Sequence, residues 1–119
     1  MITHEMTKVC YETAKSIYPD TGKIVCSAKS VHESTGMKEG SAKDYIRDFF
    51  LMRKGEKLGR CMAEMGARFY FENIYKDFGS DALSKALDSL DAYLTSDKQN
   101  HPGLENLIEE FRETKLGGK

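Results

Sequence analysis

Seven of the chain's lysines and arginines fall between positions 38 and 60: Lys38, Lys43, Arg47, Arg53, Lys54, Lys57 and Arg60. Cationic side chains in such a run are suited to charge-assisted hydrogen bonds with nucleic-acid phosphates or guanine edges. Two sub-groups are visible. Lys38, Lys43 and Arg47 alternate with Asp44 and Asp48 in helical sequence, whereas Arg53-Lys54-Gly55-Glu56-Lys57-Leu58-Gly59-Arg60 reads as a loop. Glycines beside lysines let backbone amides approach a phosphate. The loop does not match GxxxxGK[ST], so it is not a P-loop. The helical group fits a second reading equally well, as a solvated charged face, and for the loop a plain charged surface is the stronger of the two readings. The candidate nucleic-acid contacts are Lys43, Arg47, Arg53, Lys54, Lys57 and Arg60.

Other chemistry has little material. The three cysteines, Cys10, Cys26 and Cys61, form no CxxC pair, and His4, His32 and His101 are far from one another in sequence. A zinc site needs such ligands clustered, and HEMTK is not HExxH because Lys8 stands at the second ligand position. No metal and no cofactor are expected. The cysteines have apolar neighbours at helical spacing, so buried free thiols are expected. No nucleophile elbow marks any serine. Glu105, Glu109 and Glu110 read as a solvated acidic face of the last helix. The expectation is a protein without catalytic activity.

The formal net charge of −1 conceals an uneven distribution. Residues 38–70 hold eight bases against five acids, while residues 71–119 hold six bases against ten acids. A basic middle and an acidic final third suit a nucleic-acid face apart from a solvated acidic one. The surplus is too small for a dedicated non-specific DNA binder. The composition is that of a globular protein. No apolar run reaches the roughly 18 residues of a membrane span. The N-terminus lacks a signal-peptide pattern, so a cytoplasmic location is expected.

The apolar residues that must position these groups recur at helical period almost throughout. A first helix carries Ile2, Met6, Val9, Cys10 and Ile17 and stops at Pro19 and Asp20-Thr21-Gly22. A second, with Ile24, Ala28 and Val31, ends at Gly36 in a left-handed cap. Ser41, three residues before Asp44, is expected to cap the third helix, which holds Tyr45, Ile46, Phe49, Phe50 and Met52 and breaks at Gly55. Helices two and three form a helix-turn-helix-like corner around Gly36-Met37 and the KEGS turn, with Ala42 and Tyr45 inward. Lys38, Lys43, Asp44, Arg47 and Asp48 would then face outward.

A fourth helix from Leu58 or Gly59 to Asp77 is apolar around most of its circumference, which predicts the central position, and Gly66 suggests close approach of a neighbour. Ser80 is expected to cap the fifth helix, with its stripe of Leu83, Ala86, Leu87, Leu90 and Leu94. Pro102 starts a sixth, with Leu104, Leu107, Ile108 and Phe111. No stretch alternates as a strand would. The expected fold class is all-α: one compact bundle of about six helices over residues 1–116, with 117–119 as a disordered tail. Tyr93, Leu94 and Phe111 are candidates for an apolar patch left for a homodimer, against a monomer whose sixth helix completes the core.

Residues 41 to about 94 resemble the helical N-terminal domain of certain HNH-type restriction endonucleases. The likeness rests on SAKDYIRDFFLMRKG, then the Arg60-led segment with FYFENIYKDFG, then ALSKALDSLDAYL. It implies a small helical DNA-recognition module. The family's His-Asn-His nuclease is not found in this sequence. Where the family shows Arg-Thr and Ala-Thr, this chain has Arg60-Cys61 and Gly66-Ala67, so two candidate phosphate-binding hydroxyls are replaced. Two functions follow as expectations: a non-catalytic module binding duplex DNA, or a protein–protein module on a nucleic-acid-processing complex. The second includes a phage- or element-encoded inhibitor of a restriction or defence system.

Overall fold

Thr3 opens the first helix by a reciprocal cap: its Oγ1 accepts from the Met6 N–H at 3.1 Å, and Met6 Sδ accepts from the Thr3 N–H at 3.4 Å. In this computed structural model, which describes residues 1–97 and 100–117, helix α1 spans His4–Ile17. It stops because Pro19 drives Tyr18 into extended backbone, ψ 134°. Asp20 Oδ1 then accepts from the Gly22 N–H, closing a 3-10 turn over Thr21–Lys23. The remaining helices are α2 (Ile24–Thr35), α3 (Glu39–Lys54), α4 (Glu64–Phe78), α5 (Ser80–Ser96) and α6 (Pro102–Lys115). Among the described residues there is no strand, and the protein is all-α. The expected tail at 117–119 lies outside the described residues except for Gly117.

The chain divides into two compact units, Met1–Phe50 and Leu51–Lys119. In the first, α1 packs along α2. Aromatic rings join α1 and the residue that ends it to α3: Tyr11 meets Phe49 edge-on at 5.3 Å, and Tyr18 meets Phe50 at 5.0 Å. Cys10, Ala14, Ala28, Val31, Ala42 and Ile46 fill the apolar interior.

Two sequence expectations for this unit need correction. Ser41 is not a cap, because α3 already begins at Glu39 and Ser41 lies inside it. The corner is therefore Gly36-Met37-Lys38, three residues, rather than the longer KEGS turn. Gly36 does adopt the left-handed conformation, φ 80°, and its N–H reaches His32 O. The first apolar residue after it, Met37, is buried and anchors the turn before α3 starts.

In the second unit α4, α5 and α6 pack against one another in all three pairs. Each helix contributes one stripe: Ala67, Tyr70, Phe71 and Ile74 from α4; Leu83, Ala86, Leu87 and Leu90 from α5; Leu104, Leu107, Ile108 and Phe111 from α6. Phe71 meets Phe111 edge-on at 5.6 Å. Gly79 alone joins α4 to α5, and its φ of 96° lets the chain reverse within one residue. Ser80 is therefore the first residue of α5 and not its cap. Pro102 opens α6 as expected.

Helix α4 begins at Glu64, well after the expected start at Leu58 or Gly59, and is buried on one face only. Met65 is 62% exposed, and Tyr75 and Phe78 are also exposed. Leu58 and Met62 are buried, but from an irregular connector. Their spacing imitates a helical stripe while the backbone is doing something else. Tyr93 and Leu94 are half-buried and Phe111 is buried, so the apolar patch expected there is largely used within the unit.

Candidate nucleic-acid interface

The six candidate phosphate contacts divide between the two units. Lys43 and Arg47 stand on α3 in the first, four residues apart and hence one turn apart on one side of the helix. Arg47 is exposed and Lys43 half-buried. Ala42, Tyr45 and Ile46, on the other side, are buried, so the interior fixes which way the two cations face. Lys38 is exposed and ends the turn.

Asp48, expected on the outer face, is instead only 3% exposed. Burial, reinforced by the Asp44 carboxylate one turn earlier, pushes its pKa up to about 8. At neutral pH Asp48 is thus largely a neutral acid. It takes less from the positive charge of Arg47 than its position in the sequence suggests.

The turn that orients α3 is held by groups with no obvious role in the sequence. Thr35 Oγ1 donates to Val31 O at 2.8 Å and accepts from the Met37 N–H at 3.1 Å. His32 Nδ1 lies 2.7 Å from Met37 O, and since a carbonyl only accepts, this nitrogen carries the proton. Met37 is thereby fixed at both its amide and its carbonyl, and its side chain is 2% exposed. The legible signal was Thr35 immediately before a capping glycine; nothing marked His32.

The remaining candidates belong to the second unit. Helix α3 ends in a Schellman motif: the Glu56 N–H reaches Leu51 O at 3.0 Å, and the N–H of Gly55, at φ 73°, reaches Met52 O at 3.2 Å. Lys54, Lys57 and Arg60 are exposed in or beside the connector that follows. Arg53 is half-buried, its guanidinium 3.8 Å above the Phe78 ring of α4. A stack of that kind contributes roughly 0.5–2 kcal/mol and occupies one face of the cation.

Ser89 holds the connector in place. Its Oγ donates to Glu56 O, and its own carbonyl accepts from the Leu58 N–H at 3.3 Å. Ser89 is fully buried beside the leucine stripe of α5. Further along, the Tyr93 hydroxyl is engaged by Asp97 and by the backbone of Cys61; burial, then the nearby acidic groups, raise its pKa. Asp97 also takes His101 Nε2 at 2.8 Å. A serine within an apolar stripe was the sequence signal for this anchor, and it was missed.

Some of the charge outside the candidate groups is internally matched. Arg68, counted among the central bases, forms a two-pronged pair with Glu110 at 2.8 and 3.0 Å, whose hydrogen bonds hold the Glu110 carboxyl below its usual range. Arg112 reaches Asp88 and Asp91. Cys10 is buried as expected, but Cys26 and Cys61 are exposed, the first on the outer side of α2 and the second in the irregular connector. Among the described residues no group of three or more His, Cys, Asp or Glu side chains is placed to hold a metal. No helix among them is long and apolar enough to cross a membrane.

No protein-family model, curated protein or solved structure matches this chain.

Proposed function

We propose that the protein is a non-catalytic helical module that binds duplex DNA through Lys43, Arg47 and Lys54 on α3 and Lys57 and Arg60 in the connector. The observation carrying this reading is the corner: a three-residue turn, capped by a left-handed glycine, sets α3 so that Lys43 and Arg47 project from the side opposite its buried face. A helix after such a turn can lie along a major groove, with its cations on phosphates or guanine edges. Arg53 contributes less than its neighbours because Phe78 already covers one face. The resemblance to the recognition domain of HNH-type restriction endonucleases points the same way.

Chemical-shift mapping tests this reading directly. Titration with a duplex oligonucleotide at low salt is expected to move the amides of Lys43, Arg47 and the connector. Shifts confined to α4 and α6 would count against it.

A second reading, a protein–protein module acting on a restriction or other nucleic-acid-processing complex, is favoured by the exposed Met65, Tyr75 and Phe78 of α4. A homodimer is compatible with either, since two copies double a modest basic face. Light scattering at micromolar concentration is expected to show more than the 13.5 kDa of one chain in that case.

A further inference from the structure

Three of the six methionines, Met1, Met6 and Met37, converge on one pocket of about 370 Å³ in the Met1–Phe50 unit, walled on one side by the Gly36–Lys38 turn. Cys10 stands behind them, fully buried, its Sγ–H donating to Met37 Sδ at 3.4 Å. Met6 and Cys10 are four residues apart on α1 and so lie on one side of it.

Two of these methionines are positioned by hydrogen bonds. Met6 Sδ is drawn in by the Thr3 N–H as part of the α1 cap, leaving a second lone pair for another partner. Met37 is fixed by Thr35 at its amide and by His32 at its carbonyl. Methionine used as core filler closes space; here three methionines line a pocket. Two sulfurs 3.4 Å apart can both reach one ion, because metal–sulfur bonds are about 2.3 Å long.

We propose that Met6, Met37 and Cys10, with Met1 at the mouth, form a site for a soft monovalent metal ion, Cu(I). Thioether and thiolate donors select Cu(I) over harder ions. The Cys–His spacing that argues against zinc does not bear on thioethers. Binding is a ligand exchange without electron transfer: a Cu(I)–Sγ bond forms, the Cys10 S–H bond breaks, and the proton leaves to solvent.

The test uses the full chain with the exposed thiols removed, Cys26→Ser and Cys61→Ser, and methionine methyls labelled with ¹³C. Ag(I) in chloride-free buffer is the probe. One equivalent is expected to bind, moving the Met6 and Met37 methyl resonances and leaving those of Met52, Met62 and Met65 in place. Losing an outer-shell partner of a metal ligand costs about 10–100-fold in affinity, so Met6→Leu, which removes a ligand, is expected to cost at least that. The proposal is overturned if no stoichiometric equivalent binds, if the first equivalent moves Met52, Met62 or Met65 instead, or if Met6→Leu binds as tightly as the parent.

Discussion

Met37 shows how much one residue carries in this protein. Its amide, carbonyl and side chain are each committed, to Thr35, His32 and the interior beside Cys10. Removing one partner leaves a polar backbone group partly desolvated, so Thr35→Val and His32→Ala are each expected to cost about 1 kcal/mol. Met37→Ala is expected to cost about 2–5 kcal/mol by opening a cavity. Urea titrations of the three variants check the order. Asp48 gives a pH dependence of definite sign. An unfolded aspartate releases its proton near pH ~4, whereas folded Asp48 keeps it up to about 8. Between those values only the folded state holds the proton, so stability falls as the pH rises across the window. The slope from this residue is at most about 1.4 kcal/mol per pH unit. Asp48→Asn is expected to raise the melting temperature at pH 8 and flatten its pH dependence; a melting temperature that is unchanged or lowered at pH 8 refutes the assignment. Neither Asp48 nor His32 could be read from the sequence. An aspartate between Arg47 and Phe49 looks solvated until the rotation of α3 is known, and a histidine's carbonyl partner five residues ahead depends on the turn.

At the scale of elements, the stripes that build α1, α2, α5 and α6 were plain, because their apolar positions recur every three or four residues, with α1 and α2 stopped by Pro19 and Gly36 and α5 and α6 opened after Gly79 and at Pro102. The start of α4 was not. Leu58 and Met62 keep the helical interval, but Gly55 and Gly59 loosen the backbone and Ser89 captures both Glu56 O and the Leu58 N–H. Long-range hydrogen bonds from another helix override a local periodicity, and no reading of residues 55–63 alone contains them. The candidate site inherits the same division: the exposure of Arg47, Lys54 and Lys57 was legible, while the stacking of Arg53 on Phe78 needed the position of α4. Ser89→Ala leaves the Glu56 carbonyl without its donor and is expected to cost about 1–3 kcal/mol. It is also expected to speed tryptic cleavage after Lys54, Lys57 and Arg60, since a released connector fits a protease more readily. Cleavage at the parental rate would show that the connector is held by something else.

Across the whole chain, a net charge of −1 says little about binding, because opposite charges are consumed unevenly. Arg68 is committed to Glu110, and Arg112 to Asp88 and Asp91. These pairs are partly exposed and add little stability, but they remove cations from any ligand face and acids from any competing one. The contacts proposed for DNA are a small set, Lys43, Arg47, Lys54, Lys57 and Arg60, so binding through them must be weak and strongly salt-dependent. Each phosphate contact contributes about 0.9 to the slope of log K against log salt. The most direct measurement is fluorescence anisotropy of a labelled duplex across a salt series, for the parent and for Lys43→Ala/Arg47→Ala and Lys54→Ala/Lys57→Ala. The account predicts binding at roughly micromolar to tens of micromolar concentration at low salt, with each double variant lowering the slope by about two units. No binding in that range, or a slope that neither double variant changes, would contradict it.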